Sequence, residues 1–121
     1  MKALIVESKR ELGLIWKMHL ERQEIDTALA VGESDAVAHL QAQETDVLIV
    51  DIVLDDGSAL AVADFASFRH PRAQVIFVTN TSFFSDGSIF RLCPNACAFL
   101  QADTPPEDIA AMAEHYGRPR D

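Results

Sequence analysis

The chain has 121 residues, 49% of them apolar, with ten Lys and Arg set against nineteen Asp and Glu for a formal charge of −9. That length suits a single domain over residues 1–121 with a real core and no output domain, and that charge repels nucleic-acid phosphates and anionic lipid surfaces, so direct nucleic-acid binding is disfavoured. No apolar stretch approaches membrane-spanning length and the run at residues 3–6 is too short for a signal-peptide core, so a cytoplasmic protein with no membrane contact is expected.

Apolar runs of strand length alternate along the chain with stretches of helical spacing or turn chemistry. The first run, residues 3–6, leads through Glu7-Ser8 into a helix in which Leu12, Ile15, Trp16 and Leu20 recur on one face, and Ser8 with Glu11 reads as its capping box. Residues 27–31 form the second strand, and a helix over 33–43 follows Gly32. The third run, residues 47–50, is continuously apolar, the pattern of a strand buried on both faces, and it ends on Asp51. Leu54-Asp55-Asp56-Gly57-Ser58 then reads as a turn, with Asp55 and Asp56 as turn residues. A helix over 59–69 stops before His70-Pro71, and residues 75–78 form the fourth strand, ending at Thr79-Asn80. Residues 81–92 are weakly specified, because Gly87 and serines interrupt them and Pro94 bounds them. The fifth strand, 96–100, leads to Gln101-Ala102. In the last helix Thr104 reads as the N-cap, Pro105 and Pro106 occupy the first turn, Glu107 completes the cap, and Gly117 and Pro119 end it.

Five such units with short connections imply parallel strands joined by right-handed crossovers, hence an α/β fold with one doubly wound sheet and helices on both faces. The carboxyl ends of the strands then gather Glu7-Ser8, Asp51, Thr79-Asn80 and Gln101-Ala102 on one edge, where open α/β sheets build their sites. Such a set offers oxygen donors to a hard cation and a carboxylate to a phosphoryl donor. Competing chemistries lack their residues. The first turn, Glu7-Ser8-Lys9-Arg10-Glu11, has no glycine fingerprint for a dinucleotide, no P-loop pattern is present, and a phosphatase of the haloacid-dehalogenase type needs a second Asp where Val53 stands. No enzyme activity is expected. Cys93 and Cys97 lack a second pair to complete a metal site and read as small buried thiols, while His19, His39 and His70 have no partner in sequence that suggests a ligand set.

Across nearly its whole length the chain resembles a response-regulator receiver domain. The stretch from Asp51 to Leu60 is similar to the family's phospho-acceptor segment, Thr79 stands at its hydroxyl position and Phe99 at its aromatic switch position. The resemblance implies a five-stranded sheet of order 2-1-3-4-5, an arrangement for which the flavodoxin-like receivers are a standard example. It also implies that Asp51 accepts a phosphoryl group from a histidine kinase or phosphotransfer protein, with Mg²⁺ held by Glu7, Asp51, the Val53 backbone carbonyl and, at most, the Ser8 hydroxyl. Thr79 and Phe99 would carry the change to a downstream protein target. Fold analogy adds a homodimer through the last strands and helices. The alternative is a pseudo-receiver, an interaction module that works without phosphorylation.

Two departures from the family pattern bear on that choice. Receivers usually carry two acids after the first strand, and here the second is Ser8, which should weaken Mg²⁺. Aligning Phe99-Leu100-Gln101-Ala102 with the family's aromatic-apolar-x-Lys motif puts Ala102 at the lysine. A unit charge pair about 5 Å apart at an effective dielectric of ~20 is worth on the order of 3 kcal/mol, so this loss bears on phosphate affinity and on switching. Lys9 and Arg10, in the first loop, are the candidate cations to stand in for the lysine. Phe83, Phe84 and Phe90, with Ile89, mark a candidate partner surface in the weakly specified segment.

Overall fold

The computed structural model describes residues 1–79 and 95–118. Five strands, β1 (Lys2–Val6), β2 (Asp26–Ala30), β3 (Val47–Asp51), β4 (Gln74–Thr79) and β5 (Ala96–Gln101), form one sheet of order β2-β1-β3-β4-β5. Every pairing is parallel. The described helices are α1 (Arg10–Arg22), α2 (Glu33–Ala42), α3 (Ala59–Arg69) and α4 (Pro106–Gly117). Among the described residues no helix is long and apolar enough to cross a membrane.

The central strands are apolar at every position because each face of the sheet has its own cover. Leu4, Val6, Leu48, Val50, Val75 and Phe77 face one cluster, completed by Leu40 of α2 and by Val62, Ala63 and Ala66 of α3. The intervening residues, Ala3, Ile5, Val47, Ile49, Ile76 and Val78, face the other, with Trp16 and Leu20 of α1 and Ile109 and Ala113 of α4. Successive side chains of a strand point to opposite faces, so this double cover demands unbroken hydrophobicity. Each large aliphatic side chain so enclosed contributes roughly 1.5–3 kcal/mol.

Helix boundaries follow the sequence closely for α2 and α3. Ser58 caps α3, its hydroxyl accepting from Ala61 N at 3.3 Å, and His70 ends it. Three local expectations need correction. Ile15 is 42% exposed and Gly13 takes the inward position, because the Cβ of any other residue there would come within 2.6 Å of Leu29 Cδ1 and 3.4 Å of Glu7 Cβ. Ser8 does not cap α1: Lys9 is the N-cap and no side chain caps it, since the Ser8 hydroxyl is engaged by two other loops. Thr104 does not cap α4, whose N-cap is Pro105, with Pro106 opening the helix.

Candidate functional site

The register of β1 on β3 pairs Val6 with Val50, so Glu7 and Asp51 leave adjacent parallel strands side by side. Asp51 is level with Val78 of β4, which puts Thr79 one step beyond it on the neighbouring strand. On β5, Phe99 pairs with Phe77, two residues before Thr79, so Phe99 and Thr79 share one face of the sheet. Asp51 and Thr79 are the last residues of β3 and of β4, respectively. The sheet thus brings together Glu7, Asp51 and Thr79 from three strands that sequence separates by 28 to 72 residues, the intervals from 51 to 79 and from 7 to 79.

Glu7 is the buried member, 1% exposed beneath the close approach of α1 at Gly13. Its Oε1 accepts the Lys9 backbone N–H at 3.0 Å, while Oε2 is buried with no donor facing it. Loss of water around the carboxyl pushes its pKa from an ordinary 4.5 to about 8, and a hydrogen bond with Asp51 and the charge of Asp51 push the same way against Lys9. Two facing carboxylates both lack a proton to share when ionised. A proton on Glu7 turns the orphaned oxygen into a donor toward Asp51 and removes the conflict.

Asp51 is partly exposed, and its Oδ1 accepts Val53 N–H at 2.9 Å, an Asx turn that folds the chain back over the strand end. Val53 itself is 60% exposed, at the rim. Thr79 is 1% exposed at the end of β4, and Ala102 N donates to its carbonyl at 2.7 Å. Ala102 packs against the apolar cluster under α1 and α4. Lys9 and Arg10 are exposed, and among the described residues the ion pairs are Lys17–Glu21 and Arg118–Glu114, neither at the site.

Mg²⁺ fits the chemistry of this donor set. A hard cation takes carboxylate and carbonyl oxygens and keeps several waters, and Glu7 Oε2 is an unpartnered buried oxygen beside a second carboxylate. Ser8 contributes less to such a set, because its proton goes to Val31 O at 3.0 Å and one lone pair takes Asp55 N–H at 2.9 Å. Cys97 is partly buried, and its thiol donates to Val75 O at 3.5 Å. Asn80, Phe83, Phe84, Ile89, Phe90 and Cys93 lie outside the described residues.

Sequence reasoning missed Glu33. Its backbone N donates to Asp56 O at 3.1 Å and its Oε1 accepts Ser58 N–H at 2.8 Å, tying the start of α2 to the loop after Asp51. Gly57, at φ +88°, lets that loop pass: a Cβ there would lie 2.3 Å from Glu33 Cβ. The only signal in sequence was a glycine within an acidic turn.

The same arrangement of strands recurs in known proteins. A response-regulator receiver domain protein (CheY-like) from Methanospirillum hungatei superposes with a TM-score of 0.85 at 21% identity, over 96% of this chain and 92% of that one. The fold is that of a response-regulator receiver domain. The receiver domain of NtrX from Brucella abortus gives a TM-score of 0.83 at 19% identity, covering 94% of this chain and 96% of that one. A response regulator from Burkholderia pseudomallei, solved with a phosphorylated aspartic acid, a calcium ion and citrate, gives 0.80 at 17% identity, over 94% of this chain and 71% of that one. In sequence, the chain is 30% identical to the response regulator protein PilR of Pseudomonas aeruginosa over 113 residues, 93% of this chain. It spans about a quarter of that protein's length (24%). No family model matches the chain.

Proposed function

We propose that this receiver works in two-component signalling, taking a phosphoryl group onto Asp51 from a histidine kinase or phosphotransfer protein and signalling to a downstream protein by contact. The observation that carries the reading is the pair of adjacent carboxylates, Glu7 and Asp51, at the carboxyl edge of the sheet, with the Thr79 strand end beside them. In the transfer an Asp51 oxygen attacks phosphorus, and the bond from phosphorus to the donor imidazole breaks as the new P–O bond forms. The imidazole leaves with the electron pair, is protonated from water, and an acyl phosphate remains.

The modification adds up to about two negative charges beside Glu7. Bound Mg²⁺ would supply charge neutralisation there, held by Glu7, Asp51 and the Val53 carbonyl, and weakly for want of a second acid at Ser8. The calcium ion and phosphorylated aspartic acid of the Burkholderia pseudomallei relative support that role. A protonated Glu7 would donate to Asp51 and so position it, and Asp51 also accepts the Val53 N–H in the turn. Thr79 offers its hydroxyl to the phosphoryl oxygens, and Phe99, on the same face, responds, so the surface over β4 and β5 changes for the target. The formal charge of −9 favours protein over nucleic acid as that target, and a histidine kinase partner places the chain in the cytoplasm. A homodimer through the last strand and helix remains a proposal from fold analogy.

An NMR titration with Mg²⁺ and then beryllofluoride tests the reading. Shifts at Thr79 and Phe99 are expected at millimolar ligand in the wild type and are expected to vanish in Asp51→Ala. Absence of shifts in the wild type would sink the switch and leave the pseudo-receiver, an interaction module that needs no phosphorylation.

A further inference from the structure

Through Ser8 and Glu33 the loop after Asp51 makes three hydrogen bonds to its neighbours, one to Ser8 and two to Glu33, and the Ser8 hydroxyl makes a further one to Val31 O. The Ser8 pair does the longer reach. One hydroxyl from the turn after β1 donates to Val31 O, in the turn after β2, and accepts from Asp55 N, in the turn after β3. That requires a group with both a proton and a lone pair, which a hydroxyl has and an ionised carboxylate lacks. An aspartate at this position would turn oxygen toward the Val31 carbonyl with no proton between them. Metal ligation by an acid and the bridge made by Ser8 are therefore mutually exclusive at residue 8.

We propose that Ser8 is a positioning residue that orders the loop carrying Val53 and Asp55 by direct hydrogen bonds, so that the turn beside Asp51 is set before any metal binds. The Asx turn from Val53 N to Asp51 Oδ1 lies two residues from the Asp55 anchor, so the bridge holds the acceptor carboxylate through the backbone. Glu33, Gly57 and Ser58 hold the far side of the same loop, and the Ser8 contact closes its near side. The inference rests on the reading of Asp51 as phospho-acceptor.

Amide hydrogen exchange on the full chain, in chelator and again with Mg²⁺, tests the bridge in wild type, Ser8→Ala, Ser8→Thr and Ser8→Asp. The Asp55 amide should be equally protected in both media in the wild type and in Ser8→Thr. In Ser8→Ala its exchange should rise by roughly 2- to 10-fold, the equivalent of one net hydrogen bond. Ser8→Asp should tighten Mg²⁺ by NMR titration, while its carboxylate, an acceptor only, can still take the Asp55 N–H in chelator but has no proton to give Val31 O. The Ser58 amide, bonded to Glu33, should stay protected throughout and reports that each variant folds. Wild-type protection that needs Mg²⁺, or an unchanged Asp55 in Ser8→Ala, would each overturn the bridge. Beryllofluoride with saturating Mg²⁺ separates the two readings. Its failure to bind the wild type overturns the acceptor and the positioning role together, whereas an unprotected Asp55 in protein that binds it overturns the bridge alone.

Discussion

The two halves of the carboxyl edge are built by different means. On the side of β1 and β3, Glu7 is buried beneath α1, accepts the Lys9 N–H and lies beside Asp51, and the loops around it are sewn together through Ser8 and Glu33. On the side of β4 and β5, Thr79 and Phe99 occupy strand positions, and Ala102, where the family pattern has lysine, packs into the apolar cluster under α1 and α4. In the first half the Ser8 and Glu33 side chains hold backbone groups of the neighbouring loops, and removing either strands its partners. The alanine of the second half leaves nothing unsatisfied, so the fold tolerates it at no cost and only phosphate chemistry would register the change. Substitution is thus cheap where the side chain makes only apolar contacts, and constrained where it bridges polar groups.

Restoring charge to the second half is the largest test of that contrast. Ala102→Lys should tighten beryllofluoride binding with an upper limit on the order of 3 kcal/mol, about 100-fold, measured by titration. An unchanged affinity would mean that residue 102 does not face the pocket as aligned.

A change in the first half should instead register in stability. Glu7 holds its proton to about pH 8 when folded against an ordinary 4.5, so the folded state binds more protons across that interval. Its contribution is fully present below about pH 4.5 and is lost as pH rises through about 8. Glu7→Gln should remove that slope, which for one proton is at most about 1.4 kcal/mol per pH unit, read by urea unfolding across the range. A slope that survives the substitution would assign it to other groups. Divalent cations compete with the same proton, so Mg²⁺ should bind the wild type more tightly as pH rises.

The smallest effect probes the Glu33 side of the loop. Gly57→Ala places a Cβ 2.3 Å from Glu33 Cβ at φ +88° and should cost about 1–2 kcal/mol in chemical denaturation. A neutral result would show that the loop is free to shift away from α2.

How much of this was legible varies with the range of the interaction. The strands and α2 and α3 were read to within about a residue, since continuous apolar runs and capping or stop residues act locally. Asp51 and Thr79 stand out because each follows such a run. Ile15 was misplaced because helical spacing alone admits several apolar faces on α1, and only the seat of Gly13 against Leu29 chooses among them. Ser8 and Thr104 were read as caps because a hydroxyl before a helix fits that role locally. In the folded chain the Ser8 hydroxyl has partners 23 and 47 residues away, and Pro105 takes the cap at α4.

By itself the sequence determined the alternation of elements, the receiver resemblance and the identity of Asp51, Thr79 and Phe99 as the residues to examine. All of these depend on pattern along the chain. The tertiary structure decided that Glu7 is buried beside Asp51 with its pKa raised, that Ser8 joins three loops, and that Ala102 rests against an apolar cluster. Burial, proton sharing and bridging are properties of groups brought together from distant positions, and no local pattern encodes which of a residue's possible partners will arrive.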